Sequence, residues 1–127
     1  MKKLIVLAAL AALLAGCASL IAETPAQRVY AIQADYNGPL AAAVAYESQP
    51  RCEDGQSQLD GCSDTKVVDL LRKADNDVNA AVRAAQKTVR TPEVNDSTVK
   101  LAITTLRQAI AAFEVILANH DIDVEGD

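Results

Sequence analysis

The chain predicts an all-α fold, a small antiparallel three-helix bundle whose first helix is kinked. Three observations carry this expectation. Apolar residues recur at three- and four-residue intervals in three stretches of about 20 residues each. The connectors between these stretches are short and hold the prolines and the Asn, Asp and Ser clusters that stop one helix and cap the next. The chain has no tryptophan and four aromatic residues, Tyr30, Tyr36, Tyr46 and Phe113, so its core must be built from alanine and aliphatic side chains. Such a core suits closely approaching helices better than a sheet, whose strands favour β-branched and aromatic residues.

Thr24-Pro25-Ala26-Gln27 reads as the start of helix one: an N-cap threonine, proline at the first helical position, and glutamine three residues on to complete a capping box. Its apolar face runs Val29, Ile32, Tyr36, Leu40 and Ala43, with Val44 and Tyr46 beside it. "YNGPL", residues 36 to 40, interrupts this helix, because Pro39 lacks an N–H and clashes with the carbonyl four residues earlier, and Gly38 is a weak helix former. The apolar register carries through without a phase change, which predicts one kinked helix rather than two.

After the loop at 51–63, Ser63 or Asp64 caps helix two, where Val67, Leu71, Ala74, Val78, Ala81, Ala85 and Val89 form the cleanest amphipathic pattern in the chain. Its opposite face holds Arg72, Asn76, Asn79, Arg83, Lys87 and Arg90, with Asp69 one turn before Lys73 for a surface pair. "RTPEVNDS" is the second connector. Helix three is expected from about residue 98 to 119, with Val99, Ala102, Ile103, Leu106, Ile110, Phe113, Ile116 and Leu117 facing the core. The bundle thus occupies 24–120, and the acidic tail 121–127 is expected to be frayed and solvated.

The first residues state an address. Lys2 and Lys3 precede an uncharged stretch at 4–16, the layout of a secretory signal. That stretch is too short for a membrane span, which needs about 20 residues. It ends Leu14-Ala15-Gly16-Cys17, which resembles the lipobox of bacterial lipoproteins: a branched apolar residue, two small residues, then cysteine. The resemblance covers residues 1–17 and implies that Cys17 receives a diacylglyceryl group, that the signal 1–16 is cut before it, and that the new amino group is acylated. Several acyl chains make a lasting anchor, unlike a single one. The implied organisation is a lipidated tether at 17–23 that holds the bundle close to the membrane. In this family an aspartate after the cysteine commonly retains the protein at the inner membrane. The residue here is Ala18, so the expected place is the bacterial cell envelope, at the outer membrane where the cell has one.

Secretion bears on the loop "RCEDGQSQLDGCS". Disulfides persist outside the cytosol, and with Cys17 lipidated, Cys52 and Cys62 are the thiols left to pair. The expected bridge closes a loop worth roughly 2 to 3 kcal/mol in the chain-entropy model. A redox role lacks Cys-x-x-Cys spacing. A zinc site needs more than two thiols, and His120 is the sole imidazole in the chain. Glu53, Asp54 and Asp60 do not follow the ligand order of a regular calcium loop. Asp-Gly at 54–55 and 60–61 are first of all turn formers. No metal and no cofactor are expected.

Removal of 1–16 leaves 10 basic and 17 acidic side chains, a formal balance of −7, which argues against a nucleic-acid or generally anionic partner. Nucleophile elbows, haem-attachment and di-iron motifs and phosphate-cradling glycine loops are all missing from the sequence, so the expectation is a protein that is not an enzyme. His120 suits a helix C-terminus. Tyr30, Tyr36 and Tyr46 read as core residues with hydroxyls at its edge, the sharper alternative being a kinked groove for a partner peptide. The candidate interaction surface is the stripe Arg72, Arg83, Lys87 and Arg90, whose plain alternative is a solvated helix face.

The expected function is that of a membrane-anchored interaction or accessory protein that touches an envelope protein. The alternatives are a binding or inhibitory module, such as an exclusion or stress lipoprotein, and a passive structural lipoprotein. The major outer-membrane lipoprotein of enteric bacteria is the comparison for the last. Its pattern ends in a wall-linked lysine, whereas this chain ends Gly126-Asp127, so covalent wall attachment is not expected.

Overall fold

The computed structural model describes residues 24–57 and 61–124. The expected signal at 1–16, the tether at 17–23 with Cys17, Asp60 of the loop and residues 125–127 of the tail lie outside the described residues. Among the described residues the structure is all-helical: α1 (Pro25–Asp35), α2 (Asn37–Glu47), α3 (Thr65–Arg90) and α4 (Asp96–Asn119).

One residue, Tyr36, separates α1 from α2, and its backbone is itself right-handed helical at φ −69° and ψ −19°. The Tyr36 N–H donates to the Ile32 carbonyl at 3.3 Å, and the Leu40 N–H donates to the Tyr36 carbonyl at 3.0 Å. The two segments are therefore one kinked helix. Pro39 has no N–H to offer the Asp35 carbonyl, and the break falls where that bond is lost. The capping box at its start is complete: the Gln27 N–H donates to Thr24 Oγ1 at 3.3 Å, and the Thr24 N–H donates to Gln27 Oε1 at 2.7 Å.

The buried positions of this helix are Val29, Ile32, Tyr36, Pro39, Ala43 and Tyr46. They alternate strictly at three and four, so the proline ring itself fills a core position. Leu40 is half-buried and packs on the core as expected, while Val44, expected beside this face, is 57% exposed. The expectation fails at Val44 alone, where the register set by Tyr36, Pro39, Ala43 and Tyr46 turns the side chain outward.

The chain runs up, down and up. The start of α1 meets the end of α3 through Tyr30 and Arg90, and the end of α2 meets the start of α3 through Tyr46 and Asp64. The pairing of α3 with α4 is the most extensive in the bundle. Phe113 and Leu106 are fully buried between them, with Val68, Leu71, Val78, Val82 and Ala85 on the facing helix. Val68 and Val82 widen the α3 stripe by one residue beyond the expected row. The Tyr36 ring meets Phe113 edge-on with centroids 5.1 Å apart, a geometry that aromatic rings favour.

Asp64, one of the two expected caps, starts α3 by accepting from the Lys66 and Val67 N–H groups. α4 begins at Asp96, two residues before the expected start, because Asn95 takes the cap and its Oδ1 accepts from the Thr98 N–H at 2.8 Å. By length and composition α4 is apolar enough to cross a membrane. Here its face of Val99, Leu106, Ile110, Phe113 and Leu117 is buried in the bundle. The tail does not splay at once: Asp121 turns the backbone at φ 50°, the Ile122 N–H donates to the Leu117 carbonyl at 3.0 Å, and Ile122 packs on the core. The expectation of a solvated tail holds for the exposed Asp121 and Asp123 and fails at Ile122, whose apolar side chain finds the core after a left-handed turn.

Candidate functional site

Helix α3 presents its basic residues along the edge where the kinked helix lies against it. All four of Arg72, Arg83, Lys87 and Arg90 are exposed. They fall on one face, but 18 residues separate the first from the last, about 27 Å along the axis. The structure divides the stripe in two. Arg72 pairs with Glu47 at the end of α2. Among the described residues this is the ion pair that forms, in place of the expected Asp69–Lys73 pair. The hydrogen bond from Arg72 holds the Glu47 carboxyl below its usual range, and the same bond pushes the guanidinium further up. Both groups face water, so the pair adds little to stability.

At the other end an Arg90 Nη donates to the Tyr30 hydroxyl at 2.9 Å. Arg83, Lys87 and Arg90 border a shallow open depression with Gln86, Thr91 and Pro92. One turn inward, Gln86 Nε2 donates to Gln33 Oε1 at 3.0 Å. At mid-height the Tyr36 hydroxyl donates to Asp75 Oδ1 at 2.9 Å, and Asn79 Nδ2 donates to the same oxygen at 3.0 Å. Burial is the first cause that pushes the Tyr36 phenol well above its ordinary value, and the hydrogen bond and charge of Asp75 add to it. These contacts make a polar seam from one end of the first helix to the other. Part of the stripe therefore fastens helices, and Arg83 and Lys87 are the members with no role in that seam.

The loop between Cys52 and Cys62 is closed by the disulfide, with Cα atoms 4.9 Å apart. Its base is a short main-chain pairing: the Cys52 N–H donates to the Ser63 carbonyl at 3.1 Å, and the Ser63 N–H donates to the Pro50 carbonyl at 2.8 Å. Ser63 is fully buried, and its hydroxyl donates to the Gln49 carbonyl at 3.1 Å while it accepts from Arg51 at 2.6 Å. The Asp64 N–H donates to the Tyr46 hydroxyl at 2.8 Å, which ties the far end of the first helix to the start of α3. Gly55 and Gly61 sit at φ 88° and 74°, the left-handed geometry that Asp-Gly turns require. Glu53 and Asp54 are exposed, and among the described residues no three His, Cys, Asp or Glu side chains converge as metal ligands would.

The tyrosines separate by role. Tyr36 and Tyr46 are buried with their hydroxyls engaged, while Tyr30 is 52% exposed. They do not line one groove. The broad open groove that exists runs between α2 and the start of the tail, over Ala41, Ala42, Ala45 and Tyr46 on one side and His120, Asp121 and Ile122 on the other. His120 caps α4 through its backbone N–H, which donates to the Leu117 carbonyl at 3.1 Å. Sequence reasoning passed over Asp75 and took Ser63 only as a candidate cap, since a polar residue announces a buried partner only when the tertiary contact is known. The chain matches no protein-family model, no curated protein and no solved structure.

Proposed function

We propose that this protein is a lipid-anchored component of the bacterial cell envelope that works without catalysis, as an interaction or accessory protein at a membrane surface. The observation that carries the reading is the segment 1–17, a basic start, an apolar stretch and Leu14-Ala15-Gly16-Cys17. The folded part supports it. Its polar groups with chemical potential, Tyr36, Asp75, Ser63 and Tyr46, are committed to bonds that hold the bundle together. The disulfide fits an oxidising compartment. The groove between α2 and the tail favours a second reading, a binding or inhibitory module that takes a ligand there.

Two measurements test the proposal. Labelled lipid precursor should enter the protein and leave it on Cys17→Ser, together with loss of membrane retention; an unlabelled wild-type protein sinks the anchor. Crosslinking in intact cells, followed by denaturing purification and mass spectrometry, should give one reproducible envelope protein attached through an exposed helix face. Self-adducts alone would transfer the assignment to a structural lipoprotein.

A further inference from the structure

The folded domain carries its charges at opposite ends. At the end where α1 starts, α3 stops and α4 begins, the described residues within about two turns hold five cations, Arg28, Arg83, Lys87, Arg90 and Lys100, against Glu93 and Asp96. All five cations are exposed. The Tyr30–Arg90 and Gln33–Gln86 bonds place the first of these elements beside the second. At the opposite end, over the same depth and among the described residues, eight carboxylates outnumber Arg51, Lys66 and Arg72, and they include Glu53, Asp54, Asp121 and Asp123 around the disulfide loop and the tail. A chain that is acidic in sum is therefore basic at one pole.

That pole is where the tether attaches. Thr24 caps α1 there, and the seven residue steps from Cys17 to Thr24 reach at most about 25 Å. The 26 residues of α3 span about 39 Å. An acylated Cys17 thus cannot let the bundle invert and bring its acidic pole to the membrane, because Thr24 would then stand farther from the headgroups than the tether reaches. Charge acts in the same direction, since an anionic surface attracts the basic pole and repels the other within about a Debye length of roughly 8 Å.

We propose that the tether pole, built from Arg28 of α1, Arg83, Lys87 and Arg90 of α3 and Lys100 of α4, is a docking face for anionic phospholipid headgroups. It stands the bundle upright and presents the acidic disulfide pole away from the membrane. This rests on the reading of Cys17 as the lipid anchor. Arg72 has no part in it, being at the far end and paired with Glu47.

Lysine reactivity tests the face, because Lys87 and Lys100 lie at the basic pole and Lys66 and Lys73 in the other half of the bundle. The lipidated protein is reconstituted in phosphatidylcholine vesicles with and without phosphatidylglycerol, and amine acylation is followed residue by residue by mass spectrometry. Lys87 and Lys100 should react severalfold more slowly in the vesicles that contain phosphatidylglycerol, Lys66 and Lys73 at unchanged rates, and high salt should remove the difference. The variant R28Q/R83Q, which leaves the Arg90–Tyr30 bond in place, should lose most of the protection, with an unchanged melting temperature as the check on its fold. Equal rates for Lys87 and Lys100 in both vesicles, in protein that floats with both, overturn the docking face and leave the anchor standing. A wild-type protein whose intact mass shows no acyl groups and which floats with neither overturns both. Protection by a soluble polyanion but not by phosphatidylglycerol vesicles would overturn the lipid assignment.

Discussion

The α3–α4 hairpin and the kinked first helix are held by different means. The hairpin joins two long uninterrupted helices through Leu106, Phe113, Val78 and Ala85, all fully buried and apolar. The first helix is broken after 11 residues, packs Val29, Ile32, Pro39 and Ala43 beside the two tyrosines Tyr36 and Tyr46, and adds a row of polar contacts and a covalent staple. These two tyrosines carry hydroxyls into the core, and each needs a hydrogen-bond partner once it leaves water, which Asp75 and the Asp64 N–H supply. The contrast shows where this small domain keeps its stability and where it needs fastening.

The largest test strikes the hairpin. Phe113→Ala should cost about 3 to 5 kcal/mol, a large share of the roughly 5 to 15 kcal/mol typical of a small domain, and chemical denaturation should show a domain near or below its threshold. A loss under about 1 kcal/mol, the scale of a surface change, would mean that the hairpin core is not the dominant one. The next largest strikes the staple. The double variant Cys52→Ser/Cys62→Ser should lose about 2 to 3 kcal/mol and should show its earliest loss of amide-exchange protection in α2 and the start of α3. Uniform loss along the chain would place the effect in the whole bundle instead.

Tyr36→Phe keeps the ring on Phe113 and removes the seam's buried bond, so about 1 kcal/mol should be lost. It also carries a pH signature. The folded phenol titrates above its unfolded value of about 10, so its contribution is complete below that pH and is lost as pH rises past it. Wild type should therefore weaken more steeply than Tyr36→Phe above about pH 10; parallel alkaline profiles would show that Tyr36 is not the titrating group. The smallest effect has the opposite sign. A Cβ at Gly38 would meet Val124 Cγ1 at 3.6 Å, ordinary contact, so Gly38→Ala should stabilise the kinked helix by up to about 1 kcal/mol. Destabilisation would mean that the break needs glycine's freedom as well as the proline.

Much of this was legible in the residues. Thr24 and Gln27 announce their capping box, and α3 shows its register from Val67 to Val89 because a long helix repeats its pattern often enough to fix the phase. The Cys52–Cys62 bridge followed from compartment and count. What escaped depended on tertiary choice. Asn95, Asp96 and Ser97 all make good caps, and packing selected Asn95. Pro39 was read as an interruption when its ring is also a core side chain. The stripe from Arg72 to Arg90 looked like one surface because helical periodicity records angle and not height, and its division appeared only when Glu47 and Tyr30 took their places.

The buried contacts of Tyr36 also set an order of events during synthesis. Its hydrogen-bond partner lies 39 residues later in the chain, and its ring partner is Phe113. Until α3 and α4 follow, the kinked helix has neither of these partners. As the chain emerges from the ribosome, its first third therefore has nothing to fold against. The contacts of the Tyr36 ring and hydroxyl are complete only once α4 has been added to the chain.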